Sequence, residues 1–165
     1  MKLKVFTMGG TIDKIYFDKK SDYEVGAPAV GSILREAGVG FPWEVESLIR
    51  KDSLDMTDAD RRLLWERVSA AAEERILVTH GSDTMIASAK LLKKVTGKTI
   101  VLTGAIEPAM SRTSDAPFNV GCAVAAVQIL PPGVYIVMNG CIFDPDKVKK
   151  NLRLNRFEAV GQALR

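Results

Sequence analysis

The 165-residue sequence has one histidine and two cysteines, and these shortages limit the chemistry that it can support. A single histidine excludes a zinc site built from several histidines. Cys122 and Cys141 have neither CxxC spacing nor histidines at metal-ligand spacing, so we expect structural thiols in a reducing cytosol. The sequence therefore predicts no metal site.

Charge and hydropathy exclude two further kinds of partner. A net charge of +3 is too small to indicate a nucleic acid. The longest apolar stretch, residues 120–130, is too short to cross a bilayer, so no membrane association is predicted. Because strand-like sequence follows the second residue, we expect no signal peptide and a cytoplasmic location. A composition with 47% apolar and 26% charged residues is typical of a soluble globular protein.

Short apolar runs alternate with helical patterns along the chain. Strands are predicted at residues 3–7, 45–49, 76–79, 99–103 and 134–138. Helices are predicted at residues 29–37, 58–74, 83–95 and 117–130. This alternation indicates βαβ units and a parallel sheet. The predicted fold class is α/β, with residues 1–165 in one doubly wound, mostly parallel, three-layer domain of the flavodoxin or Rossmann type.

Polar clusters directly follow the predicted strands, at residues 9–11, 52–55, 81–83, 111–115 and 144–150. Ligands of such sheets bind beyond the carboxyl ends of the strands. The topology alone therefore predicts that these clusters share one site.

Two of these clusters are turns in which a hydroxyl residue follows glycine. Thr11 follows Gly9 and Gly10, while Ser82 follows Gly81 and precedes Asp83. A hydroxyl is a potential nucleophile once its proton is removed. Taken singly, the first turn also fits a plain βα connection or a weak phosphate loop. The second also fits helix capping, with Ser82 as the N-cap.

Lys150 and the segment after Thr11 are ambiguous when each is considered alone. Lys150 lies among other lysines and fits a surface position, but a lysine shielded from water beside a carboxylate can take a proton from a hydroxyl. Residues 14–22 and their surroundings, with Tyr16 and Tyr23, are polar and are expected to form a structureless surface loop or a mobile lid.

Together these motifs resemble the bacterial-type L-asparaginase and glutaminase-asparaginase family. The family's TGGTI and HGTDT turns correspond to Met8-Gly9-Gly10-Thr11-Ile12 and His80-Gly81-Ser82-Asp83-Thr84. Further matches lie at residues 21–26, 52–56, 104–106, 114–119, 137–140 and 148–150. Their order and spacing agree with the family across nearly all of the chain.

The resemblance implies a role for each residue that matches a motif. Thr11 corresponds to the primary nucleophile and Tyr23 to the lid tyrosine beside it. Ser82, Asp83 and Lys150 correspond to the hydroxyl, carboxylate and lysine of a catalytic triad.

Substrate contacts are implied in the same way. Ser53 matches the serine that holds the substrate's α-carboxylate, and Asp83 is expected to bind the α-ammonium. The full set of expected substrate-binding residues is Gly10, Asp52, Ser53, Gly81, Ser82 and Asp83. Backbone N–H groups of the two glycine turns could stabilise an oxyanion, and the resemblance implies no cofactor.

Three substitutions and the chain length depart from the family pattern. Met8 and Ser82 each replace a threonine, and the serine keeps the hydroxyl. Leu54 replaces a glutamine at the α-amino-acid end of the site. The sequence resembles short, single-domain members of the family that lack the usual second domain, or a truncated one.

The expected function is hydrolysis of L-asparagine to L-aspartate and ammonia through an acyl-enzyme. The alternatives are a related small-amide amidase acting on glutamine, a catalytically weak amino-acid-binding or regulatory domain, and a nucleotide-binding module. The helix at residues 117–130 is apolar on nearly all sides. It therefore predicts a homo-oligomer, either a dimer or a tetramer.

Overall fold

The structure, a computed structural model, describes residues 1–17 and 22–161. Its strands are β1 (Leu3–Gly9), β2 (Lys14–Phe17), β3 (Asp22–Val25), β4 (Trp43–Lys51), β5 (Arg75–Thr79), β6 (Thr99–Thr103), β7 (Gly133–Met138), β8 (Cys141–Phe143), β9 (Val148–Asn151) and β10 (Arg156–Ala159). Its helices are α1 (Val30–Glu36), α2 (Asp58–Ala70), α3 (Met85–Leu92) and α4 (Ala116–Ile129). Each of the five predicted strands and four predicted helices is present; β6 has the predicted bounds and the other elements have at least one shifted end.

Six strands form the central sheet in the order β4-β1-β5-β6-β7-β8. The first five are parallel, and β8 runs antiparallel to β7. From β1 the chain continues to β4 on one side, and from β4 it crosses back to β5 on the other side of β1. The topological switch point therefore lies between β1 and β5. Ligands of doubly wound sheets bind at this point, beyond the carboxyl ends of the strands.

Helices cover both faces of the sheet, as predicted. Ile76 and Val78 of β5 belong to the buried cluster that also contains Leu64 of α2 and Met85 of α3. Leu77, between them, belongs to the opposite cluster with residues of α1 and α4. Because neighbouring side chains of a strand point to opposite faces, the continuous apolar run of β5 supplies both cores. The predicted three-layer, doubly wound fold is confirmed.

Helix α2 begins where predicted but ends four residues early. Thr57 and Asp60 form a reciprocal capping box at its start, with the Thr57 side chain accepting from the Asp60 N–H. The predicted end at residue 74 is wrong: the helix stops at Ala70, and Lys98 Nζ donates to the carbonyls of Ala71 and Glu73 beyond it. These carbonyls are bonded by a residue distant in sequence, and the chain is extended at Ala71.

The segment after Thr11 is not structureless, which corrects the sequence prediction. Strands β2 and β3 pair as an antiparallel hairpin in which Tyr16 lies opposite Tyr23. Residues 18–21 of the predicted lid lie outside the described residues. Asp13, at the start of this hairpin, accepts backbone hydrogen bonds from both Gly26 and Ala29 after it. The hairpin therefore leaves and rejoins the domain at one point.

Two further hairpins lie in the C-terminal part of the chain, β7–β8 at the edge of the main sheet and β9–β10. Asn139 and Gly140 join β7 to β8 and have φ angles of 55° and 75°. Strands β9 and β10 form a separate two-stranded sheet that carries Lys150. Within the described ranges, no helix is long and apolar enough to cross a bilayer.

Candidate active site

Two glycine turns meet at the carboxyl edge of the sheet. A Cβ atom at Gly10 would overlap the backbone of Gly81, and one at Gly81 would lie 2.7 Å from Ser53 Oγ. Only glycine allows this approach, and Gly10 also has a φ of 91°. Since Thr11 and Ser82 directly follow these glycines, the turns after β1, β4 and β5 form one cluster.

Lys150 joins this cluster from 68 residues away. Its Nζ lies 2.8 Å from Ser82 Oγ and 2.6 Å from Asp83 Oδ1. The lysine side chain is 11% exposed and that of Asp83 is 34% exposed. The Lys150 amino group thus contacts both a hydroxyl and a carboxylate at the carboxyl edge of the sheet. This arrangement can pass a proton between Ser82 and Lys150.

Ser82 does not cap helix α3, so that interpretation of the sequence is wrong. The N-cap position is Thr84, and α3 begins at Met85 rather than at residue 83. The Thr84 hydroxyl donates to the Ser53 carbonyl over 2.8 Å. This bond ties the Ser53 turn to the turn that carries Ser82 and Asp83.

Ser53 and Asp52 form a short 3-10 turn after β4. Ser53 is 1% exposed, and within residues 1–17 and 22–161 its buried Oγ makes no hydrogen bond. Asp52 Oδ1 accepts from the Leu54 N–H, and Oδ2 pairs with Lys14 Nζ at 2.6 Å. Ser53 thus has a buried hydroxyl without a hydrogen bond among the described residues, while the Asp52 carboxylate is bonded within the chain.

The electrostatic state of Asp52 follows from these partners. Partial burial acts to raise the pKa of Asp52, but the Lys14 ammonium and the Leu54 N–H together hold that pKa below its usual value. The ionised carboxylate therefore connects the base of the β2–β3 hairpin to the Ser53 turn.

His80 belongs to the sequence motif, but the motif did not explain its role. The structure shows that this role is structural. Its ring is fully buried, with Nδ1 2.8 Å from the Gly81 carbonyl and Nε2 2.7 Å from Ser88 Oγ. Burial lowers the pKa of His80 to about 4, so the ring is neutral at neutral pH. A carbonyl can only accept, so Nδ1 carries the proton. The Gly81 carbonyl and the Ser82 N–H belong to the same trans peptide and point in opposite directions. Because the carbonyl faces His80, the Ser82 N–H points away from His80.

Thr11 and Tyr23 are less closely connected to this cluster. Thr11 is half-buried at the start of the 3-10 turn Thr11–Asp13. Tyr23 is 53% exposed and makes an edge-to-face contact with Tyr16, with ring centroids 5.5 Å apart. Among the described residues, no hydrogen bond joins Tyr23 to Thr11, Ser82 or Lys150. Nor do the described parts of the chain contain a cluster of three or more His, Cys, Asp or Glu residues that could hold a metal.

Comparison with known proteins identifies relatives of this chain. The family model "Asparaginase, N-terminal" matches residues 2–163. The glutaminase-asparaginase of Acinetobacter glutaminasificans is 31% identical over 122 residues, which are 71% of this chain and 36% of that protein. The chain therefore spans well under half the length of this curated relative.

Solved structures share the fold over almost the whole chain. The thermostable L-asparaginase from Thermococcus kodakarensis is 27% identical, with a TM-score of 0.84 over 99% of this chain and 52% of its own. A probable cytoplasmic L-asparaginase from Campylobacter jejuni is 26% identical, with a TM-score of 0.82 over 96% and 53% of the two chains. The fold of this chain corresponds to about half of each of those molecules.

Asp13 gives the unfolding free energy a testable pH dependence. Burial raises the pKa of Asp13 to about 6, although the Ala29 N–H and Arg50 favour the ionised form. Because the folded-state pKa is raised, the contribution of Asp13 is fully present below its unfolded pKa of 3.8 and is lost as pH rises through about 6. The loss corresponds to about 3 kcal/mol.

We therefore expect Asp13→Asn to flatten the pH dependence of the unfolding free energy between about pH 4 and 7. Asparagine keeps an oxygen for the Ala29 N–H but does not ionise. Urea unfolding at several pH values measures the effect, and Asp58→Asn at an exposed carboxylate is the control. An Asp13→Asn protein with the parental pH slope would show that the Asp13 pKa is not raised.

Proposed function

Because this chain belongs to the asparaginase family, we propose that it hydrolyses the side-chain amide of L-asparagine to L-aspartate and ammonia. The observation that carries this proposal is the contact of Lys150 Nζ with both Ser82 Oγ and Asp83 Oδ1. It is supported by the convergence of the Gly10, Ser53 and Gly81 turns on the same edge of the sheet.

We assign the α-carboxylate of the substrate to Ser53. Its buried hydroxyl has no partner within the described ranges, and a buried unsatisfied donor gains most from a ligand that accepts its hydrogen bond. The carboxylate of Asp83 is assigned to the α-ammonium group. With both ends of the amino acid held, the side-chain amide extends toward Thr11 and Ser82.

In the first step, Thr11 Oγ bonds to the amide carbon and gives up its proton, and the carbon–nitrogen bond then breaks. The nitrogen takes up a proton and leaves as ammonia, so an ester of Thr11 remains. The proton given up by Thr11 passes through the hydrogen-bonded group of Ser82, Lys150 and Asp83, which returns it to the departing nitrogen. The Ser82 N–H, turned away from His80, is a donor for the oxyanion.

In the second step, water adds to the ester carbon and the Thr11–carbon bond breaks. Thr11 Oγ recovers a proton, and L-aspartate is released. Every proton removed from a hydroxyl or from water is returned to nitrogen or to oxygen, so the two steps consume only asparagine and water and need no oxidant. Tyr23, on the β2–β3 hairpin, is assigned to the lid that covers Thr11 during these steps.

We propose that the enzyme is a cytoplasmic homo-oligomer. The location is supported by the similarity to a probable cytoplasmic asparaginase. Assembly is supported by the outer face of α4, where Phe118 is 61% exposed and Ile129 is 79% exposed. Gly121 and Ala125 are also exposed along this face and permit close approach of a second copy.

Substitution of the hydroxyl and of the lysine tests the catalytic assignments. Thr11→Ala and Lys150→Met are each expected to lower ammonia release by at least about a hundredfold, because the groups act as a unit. The neighbouring exposed lysine provides a matched control, Lys149→Met, with parental activity expected. Purified proteins are compared with asparagine and with glutamine. Near-parental turnover in either active-site variant would refute the role assigned to that residue.

Product binding tests the substrate contacts independently of turnover. L-Aspartate is expected to raise the melting temperature because it binds only the folded state. Ser53→Ala should keep the melting temperature of the free protein, since Ser53 Oγ makes no hydrogen bond there, but should reduce the aspartate shift. Asp83→Asn should also reduce it. No shift in the parental protein at saturating aspartate would contradict the assigned binding site.

The oligomeric state of the protein in solution tests whether the outer face of α4 forms the subunit contact. Sedimentation should show a dimer or tetramer for the parental protein and a smaller species for Ile129→Glu, because a buried charge opposes association. Leu152→Glu places the same charge on another exposed apolar residue and should leave the assembly unchanged. A strictly monomeric parental protein that is active at nanomolar concentration would refute the proposed assembly.

A further inference from the structure

The proposed proton-transfer group consists of Ser82, Asp83 and Lys150, and of these only Lys150 lies outside the parallel sheet and its connections. Ser82 and Asp83 follow β5 directly, whereas Lys150 lies on β9 of the small two-stranded sheet. In that sheet, Lys150 is opposite Phe157 of β10. The position of its ammonium therefore depends on what fixes the β9–β10 hairpin to the domain.

Asn139 makes a polar connection between this hairpin and the main sheet. Its Oδ1 accepts the backbone N–H of Phe157 over 3.0 Å. In an antiparallel pair, each N–H points either at the partner strand or outward. The Phe157 N–H is used by Asn139, so Asn139 holds the outer edge of β10 at the residue opposite Lys150.

Asn139 is itself fixed on two sides. It occupies the tight turn between β7 and β8 with a φ of 55°, a conformation that Asn adopts more readily than most residues. Its backbone N–H donates to Asn119 Oδ1 over 3.1 Å. Asn119 is fully buried on α4 and donates to the carbonyl of Gly104, after β6, and to Asp115.

A continuous chain of hydrogen bonds therefore runs from the carboxyl end of β6 to the strand opposite Lys150. Its links are Gly104, Asn119, Asn139 and Phe157. Apolar packing of Phe157 against Phe143 anchors the hairpin to the core. Such packing is less directional than a hydrogen bond, so it does not by itself fix the distance from Lys150 Nζ to Ser82 Oγ.

We infer that Asn139 is a positioning residue that holds Lys150 within hydrogen-bond reach of Ser82 and Asp83. The inference rests on the proposed function for its effect on catalysis, but its geometric content does not depend on which reaction is catalysed. The Asn139 side chain acts through Phe157 and β9 rather than on the substrate.

The test separates the side-chain hydrogen bond from the turn conformation. Asn139→Gly accepts the positive φ but removes the acceptor for Phe157, while Asn139→Asp keeps an acceptor and tolerates the same φ. Asn155 also has a positive φ, 48°, and lies in the turn of the β9–β10 hairpin. Asn155→Gly is therefore the matched control for an asparagine-to-glycine change in this conformation.

We expect Asn139→Gly to lower kcat for asparagine by roughly tenfold to a hundredfold, with a smaller change in KM, because small displacements of a catalytic group are costly. Asn139→Asp should restore kcat to within about threefold of the parental value. Asn155→Gly should leave kcat and KM unchanged. Rates are measured well below each variant's melting temperature, so that a loss of stability alone does not lower them.

A second measurement reads the position of Lys150 without using activity. In protein labelled with 13C at lysine Cε, the Lys150 signal is assigned by its absence in Lys150→Met. In Asn139→Gly it should move toward the signals of exposed lysines such as Lys149, and in Asn139→Asp it should stay in place. A parental signal in Asn139→Gly, or parental kcat in that variant, would overturn the inference. An inactive parental protein whose signals behave as expected would refute the proposed function alone.

Discussion

Backbone contact between Gly10 and Gly81 is the constraint on which the rest of the site depends. β1 and β5 are adjacent and parallel, with Thr7 opposite Thr79, so the turns that follow them leave the sheet at the same height. Their chains can touch only because neither glycine has a side chain. Thr11 and Ser82 are thereby brought to one edge, and Ser53 packs against the same contact. Any side chain at either glycine would separate the two hydroxyl turns.

The site combines this rigid centre with parts supplied from a distance. Lys150 enters from the β9–β10 hairpin, and Asn139 and Asn119 connect that hairpin to the end of β6. On the other side, the pairing of Lys14 with Asp52 joins the β2–β3 hairpin to the Ser53 turn. The proposed reacting groups thus lie where the β9–β10 hairpin, the β2–β3 hairpin and the Ser53 turn meet the edge of the sheet. Such an arrangement suits the amino acid that we propose as substrate, whose polar ends must be bound by groups held in fixed positions.

Local patterns predicted five of the six strands of the main sheet, most clearly where a strand is an uninterrupted apolar run, as in residues 76–78. The same reasoning missed β2 and β3, which bury little and so lack an alternating signal. It also extended α2 past Ala70, where the chain instead meets Lys98, a residue distant in sequence. The β7–β8 hairpin did carry a signal, the Asn139-Gly140 pair, which is typical of a two-residue turn. Motif similarity suggested that Lys150 joins Ser82, but no local pattern could give the partners of His80 or Asn139.

The central claim is that the two glycine turns and Lys150 form one binding and reaction site for L-asparagine. A crystal structure of the protein with L-aspartate tests it most directly. The account predicts the α-carboxylate within hydrogen-bond distance of Ser53 Oγ and the side-chain carboxylate beside Thr11 and Ser82, with the Lys150 contacts retained. Aspartate bound elsewhere, or bound with its side-chain carboxylate away from Thr11, would contradict the account.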